Sequence, residues 1–224
     1  MKITIKNLYF KYRKSKYIFT DLNLIIPSGK LTIIIGPNGS GKTTLLKLIA
    51  GILKPQAGEI LYNDSSINPE RIGYVFQNPN DQFVHLTVER ELAFGLENIG
   101  LDSDSMKERV NLNLKEYNML EKKYDSPDKL SGGEQQKLSV ACLMIYNPEI
   151  ILMDEPTSFL DERGKAIFYN SLNMARKKGK TIVMVSQQTN EIEMADYLIE
   201  LSQSGIRTFY EPGKYLKNDI DIYS

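Results

Sequence analysis

Cysteine is almost missing from this chain. The one present, Cys142, has no internal partner for a disulfide, which suits a reducing compartment. It lies in an apolar helical stretch, VACLMIY, and reads as core packing rather than as a nucleophile. Histidine is equally sparse: His85 stands alone and is expected to be a lone surface residue. An excess of either charge is missing too. The 28 basic residues balance 28 acidic ones, so no general field gathers nucleic acid, and no nucleic-acid partner is expected. No apolar run approaches the roughly 18 residues that mark a membrane span. The opening MKITIKNLYF alternates polar and apolar residues as a strand does, without the apolar block of a signal peptide. A soluble protein is expected, reaching any membrane only through a partner. Internal repeats and low-complexity linkers are absent as well.

What is present is an alternation of buried strands and helices. Leu31–Ile35, Ile150–Met153 and Thr181–Val185 are short, compact runs rich in Ile, Val, Leu or Met. Helix-like stretches separate them, which is the pattern of a parallel sheet covered on both faces. The opening segment and Gly58–Asn63 alternate more cleanly, as an antiparallel layer does. From Val88 to about Tyr146 the pattern is helical, broken by the turn-forming Ser-Pro-Asp at 126–128. The expected architecture is one α/β core, with the helical region inserted between its strands.

Two segments carry chemistry. Gly36–Thr43 reads GPNGSGKT and matches G-x-x-x-x-G-K-[ST] between a strand and a helix, the context in which that pattern binds phosphate. Gly36, Gly39 and Gly41 permit backbone conformations that a Cβ would block. Their amides can form a nest for phosphate oxygens, aided by the positive end of the next helix. Lys42 adds a point charge, and the Thr43 hydroxyl is a ligand for Mg²⁺. The second segment, IILMDEPTS, ends a buried strand in Asp154 and Glu155. Asp154 is suited to hold a metal ion through water, and Glu155 to orient and deprotonate an attacking water.

Between these segments stands Leu130-Ser131-Gly132-Gly133-Glu134-Gln135-Gln136. It resembles the signature motif of ABC transporter ATPases, and the resemblance covers essentially the whole chain in the family's order. It implies a P-loop NTPase (RecA-like) fold: a parallel-sheet core with an antiparallel layer over residues 1–83 and 147–224, and a helical subdomain over 84–146. It implies that Tyr12 stacks on adenine and that Pro37, Asn38, Ser40 and Thr44 join the phosphate-loop residues in holding ATP. Gln77 matches the glutamine that senses the γ-phosphate and Mg²⁺ and links them to membrane subunits. Ser158–Asp161 resembles the loop that crosses a dimer interface. Ser131, Gly132, Gly133 and Glu134 form a helix start, with Ser131 as N-cap and Glu134 completing a capping box. In the family this start faces the γ-phosphate held by a second chain, as the positive end of a helix favours.

YVFQNPNDQF and TVERELAFGLENIGL resemble the ATPase subunits of energy-coupling factor importers, which take up vitamins and transition-metal ions. The resemblance implies a second ATPase chain, identical or different, and membrane subunits that scaffold the complex and choose the substrate. It also implies a place on the cytoplasmic face of the membrane, with Asp81, Gln82 and Glu89–Phe94 where the scaffold docks. A soluble non-transport ABC ATPase is the alternative; its usual coiled-coil insertions or second cassette do not fit in 224 residues. Two departures stand out. The chain ends soon after EPGKYLKN, where many relatives extend further. Gln187, in Ser186-Gln187-Gln188, occupies the family's switch-histidine position. Its amide can donate a hydrogen bond to a γ-phosphate but can neither carry charge nor relay a proton.

Overall fold

The computed structural model describes residues 1–66, 71–78, 82–97, 100–202, 205–210 and 212. These divide into two compact units. The first holds the described residues of 1–72, 149–154 and those from 176 onward; the second holds those of 73–148 and 155–175.

In the first unit, β1 (Ile3–Phe10), β2 (Phe19–Ile26) and β4 (Ala57–Tyr62) form an antiparallel sheet in the order β2-β1-β4. Phe19, Leu22, Leu24 and Ile26 of β2 are buried while Asp21, Asn23 and Ile25 are exposed. This near-alternation follows from a sheet with one wet face. The parallel strands are β3 (Leu31–Ile35), β6 (Ile150–Asp154), β7 (Thr181–Val185) and β8 (Tyr197–Ser202). They run in the order β6-β7-β3-β8, and β9 (Gly205–Tyr210) closes the edge antiparallel to β8. All five residues of β3, β6 and β7 are buried, which is why these runs are predominantly apolar instead of alternating. Each buried Ile, Val or Leu contributes about 1.5–3 kcal/mol of burial energy.

The register sets where the strands stop. Asp154 pairs with Val185, and Ile34 with Val185, so β6, β7 and β3 end level with one another. Helix α1 (Lys42–Ile49) leaves the loop after β3, with Leu45, Leu46, Leu48 and Ile49 buried. The Tyr62 hydroxyl donates to the Ile49 carbonyl at the other end of that helix. Burial raises the Tyr62 phenol to about 12, which keeps it a protonated donor through the neutral range.

The second unit is helical. β5 (Ile72–Val75) leads into it from the first. Helix α2 (Val88–Glu97) packs on α3 (Ser103–Glu116) and on α4 (Gly132–Tyr146). Asp102 caps α3 by accepting from the amides of Asp104 and Ser105. Asn147, in the left-handed region at φ 57°, ends α4, and Pro148 follows it. The buried residues of α4 lie all around it, as expected of a helix at the centre of its unit. Helix α5 (Glu162–Lys177) buries Phe168 and Leu172. The Tyr117 hydroxyl donates to Ser171 Oγ on α5 at 2.7 Å in the interior, while Ser171 donates onward to the Ile167 carbonyl.

Tyr117→Phe keeps the buried ring and leaves Ser171 its own acceptor, so the loss of stability should be about 1 kcal/mol. Denaturant unfolding of both proteins measures it, and an unchanged midpoint would mean the bond adds nothing.

Candidate functional site

The loop after β3 is shaped by its glycines. Gly36 has φ 142° and a Cβ there would lie 2.1 Å from the Leu201 carbonyl oxygen; no other residue fits. At Gly41, φ 99°, a Cβ would meet the side chains of Ile18 and Phe19 at 2.8 and 2.9 Å. Lys42 is buried and its Nζ donates to the carbonyls of Gly36 at 2.8 Å and Pro37 at 3.0 Å. The ammonium is thus wrapped by the loop that it follows. Ser40 Oγ is buried with no hydrogen-bond partner among the described residues, while Pro37, Asn38 and Gly39 are exposed. A cationic loop holding an orphaned hydroxyl and opening onto the start of α1 fits a polyanion. Tyr12 is 43% exposed, and its hydroxyl lies 3.3 Å from Thr44 Oγ1 in the first turn of α1. Thr43 is half-buried beside it.

The level strand ends bring further groups to the same edge of the first unit. Asp154, buried, closes β6. One residue past β7, Ser186 is buried; its hydroxyl donates to Glu191 and accepts from the Gln188 amide at 3.0 Å. This fixes the turn that carries Gln187, whose Nε2 donates to Asn38 Oδ1 of the phosphate loop at 3.3 Å. Ser186 and Glu191 were not singled out from the sequence. The signal available was a hydroxyl residue just after a strand with a carboxylate five positions on.

The second unit gathers a different set. Glu155 has φ 47°, the left-handed turn that separates it from Asp154. Gln77 Nε2 donates to Glu155 Oε2 at 3.1 Å, and the Ser158 hydroxyl lies 3.5 Å from the same oxygen. Asp161 accepts from the Gly164 amide at 2.7 Å, so it caps the start of α5 locally. Ser131 caps α4: its Oγ accepts from the Glu134 amide, and Glu134 Oε2 accepts from the Ser131 amide at 2.9 Å, completing the capping box. That amide bond holds the Glu134 carboxyl below the usual range. Gly132 is exposed, and among the described residues a Cβ on it would meet nothing within 4 Å. A Cβ on Gly133 would approach the Phe159 carbonyl to 3.0 Å, which seats the 158–161 loop against the signature segment.

His85 is not the solvated histidine expected from the sequence. Its side chain is 24% exposed, with Nδ1 3.4 Å from Glu91 Oε2 and its ring 4.9 Å from that of Phe94. Burial raises the Cys142 thiol well above its ordinary range, in keeping with a packing role. Of the segment expected to dock a membrane scaffold, Asp81 lies outside the described residues. Gln82 Oε1 accepts from the Phe76 amide at 3.4 Å, Glu89 pairs with Lys123 at 3.0 Å, and Phe94 is exposed. Of EPGKYLKN, only Pro212 is described.

The sequence model of the ABC transporter family matches residues 19–158. Two curated relatives are named energy-coupling factor transporter ATP-binding protein EcfA1. The one from Mycoplasmopsis pulmonis is 37% identical, covering 96% of this chain and 85% of the relative. The one from Thermotoga maritima is 35% identical, covering 92% and 80%. Among solved structures, cbiO1 from Clostridium perfringens, described as part of the ABC transporter complex cbiONQ, matches with a TM-score of 0.79 at 27% identity, over 96% of this chain and 90% of that one. An ATP-binding cassette solved as a dimer in a post-hydrolysis state, with ADP and Pi bound, matches with a TM-score of 0.82 at 27% identity, over 93% and 98%. On the extent of the family match and the identity of these relatives along nearly its whole length, the chain belongs to the ABC transporter ATP-binding family.

Proposed function

We propose that this chain is the ATP-hydrolysing subunit of an energy-coupling-factor-type importer that takes up a vitamin or a transition-metal ion. The observation that carries the reading is the level ending of β3, β6 and β7, which aligns the phosphate loop with Asp154 and Gln187. The relatives named for energy-coupling factor transport support the importer branch. In this reading Lys42 and the loop amides hold the β- and γ-phosphates of ATP, and Tyr12 stacks on its adenine. Glu155 orients the attacking water and takes its proton. Gln77, which donates to Glu155, senses the γ-phosphate and transmits its presence.

The Thr43 hydroxyl and Asp154 carboxylate are hard oxygen donors suited to Mg²⁺, and Gln77 is the further ligand that the family pattern implies. Among the described residues no group of three or more His, Cys, Asp or Glu could hold a metal by itself, so the ion would arrive with the nucleotide. When bound it neutralises charge on the phosphate oxygens.

A second ATPase chain is part of the proposal. The exposed start of α4 at Ser131–Glu134 would meet the γ-phosphate held by that partner, and Ser158 and Asp161 would line the junction. Two ATP molecules bridging the chains, and lost on hydrolysis, make a two-state element that can drive transport. Among the described residues no helix is long and apolar enough to cross a membrane, so membrane subunits would supply the path. Exposed Val84, Leu86 and Phe94 are an apolar surface for that scaffold, which would hold the chain at the cytoplasmic face. Lys42→Ala should abolish ATP binding and Glu155→Gln should keep binding while lowering turnover by a factor of about 10² or more. Phosphate-release and nucleotide-binding assays read both, and full turnover by Glu155→Gln would remove Glu155 as the base.

Gln187 favours a second reading, a slow site in a pair of unlike ATPases. An amide bonded to Asn38 supplies no charge and no proton relay. The isolated chain should therefore turn over slowly, and Gln187→His should raise its rate. No response in a steady-state ATPase assay would sink this reading and leave the first standing.

A further inference from the structure

The hairpin tip between β1 and β2 is strongly basic. Lys2, Lys6, Lys11, Arg13, Lys14 and Lys16 all precede the first acidic residue, Asp21. Lys2 pairs with Asp64 and Lys6 approaches Glu59. Lys11, Arg13, Lys14 and Lys16 make no ion pair with any described residue. Arg13, Lys14 and Lys16 are exposed.

The tip is a closed turn. Ile18 N donates to the Phe10 carbonyl at 2.8 Å, and Ser15 donates to the Tyr12 carbonyl from both its amide and its hydroxyl. Gln56 clamps Lys11 by accepting from its amide at 2.9 Å and donating to its carbonyl at 3.0 Å. Lys11 Nζ lies over the Tyr17 ring, 4.8 Å from its centroid. Two contacts tie the turn to the phosphate loop and the helix it opens: Tyr12 to Thr44 of α1, and Ile18 against the position where Gly41 would carry a Cβ. The cations therefore stand at the rim of the anion site on a braced support.

We propose that Arg13, Lys14 and Lys16 form an electrostatic collar that captures the triphosphate of the incoming nucleotide and steers it onto the phosphate loop. The inference rests on the reading of that loop as an ATP site. A run of lysines is ordinarily just a solvated face. Here it is uncompensated by any ion pair among the described residues, confined to one turn and adjoined to a loop suited to a polyanion. Such a field raises association rates by tenfold or more and leaves dissociation to the contacts within the site.

The test is stopped-flow binding of a fluorescent ribose-labelled ATP to the wild-type chain and to the double variant Arg13→Glu, Lys16→Glu. Both side chains are exposed, so folding is not at stake, and circular dichroism verifies it. At or below about 0.1 M salt, where the Debye length is about 10 Å, association to the variant should be about tenfold slower; near 1 M salt the two rates should converge. Dissociation should stay within about twofold. Equal association rates at low salt would overturn the proposal, as would a change confined to dissociation. Binding of the wild type to anionic phosphatidylserine vesicles, lost in the variant while ATP association is unchanged, would overturn it in favour of a membrane role. A wild type that binds no ATP would instead overturn the reading on which the proposal rests.

Discussion

Everything chemical in the first unit depends on the register of three buried strands. Because β6, β7 and β3 pair in parallel with Asp154, Val185 and Ile34 side by side, the residues that follow each strand emerge at one edge. A slip of one residue in β6 would turn the Asp154 side chain to the opposite face of the sheet. The register is held by burial: all five positions of each strand are closed to solvent. Moving any of them out costs more than a surface hydrogen bond returns. The phosphate loop, the metal-suited carboxylate and the Gln187 turn are thus placed by strand packing, to which the Gln187–Asn38 bond adds one direct contact.

The second unit solves a different problem. Its helices have well-built ends, and those ends are where its functional candidates lie. Ser131 and Glu134 satisfy the first amides of α4 reciprocally, while exposed Gly132 keeps the rest of that turn accessible. Asp161 caps α5 more simply, by accepting from the Gly164 amide. Glu155 is held by Gln77 and neighbours Ser158, so one carboxylate joins a loop leading to α2 with the loop leading to α5. A group that both segments share is suited to report on each of them.

Much of this was legible because local chemistry dictated it. Continuous apolar runs gave away β3 and β7 to the residue, and β6 to within one position at Asp154. Glycines with a lysine and threonine betrayed the phosphate loop, and Ser131 with Glu134 the start of α4. What stayed hidden was long-range and polar. The Gln187–Asn38 bond joins residues 149 positions apart, and no periodicity announces it. Tyr117 to Ser171 spans 54 positions and looks from the sequence like two unrelated polar residues. His85 was misjudged for the same reason: its neighbours Glu91 and Phe94 lie on a helix whose packing the sequence does not reveal. Asp161, expected from the sequence in an interface loop, has a capping role visible only once α5 is in place.

The central claim is that the aligned strand ends form an ATP site whose charge comes from Lys42. Equilibrium dialysis of the chain against radiolabelled ATP with Mg²⁺ tests it most directly. The account predicts saturation at one ATP per chain, competed by ADP and not by AMP, because the loop recognises the polyphosphate rather than the base. Saturation by AMP as readily as by ATP, or no saturable binding at all, would contradict it.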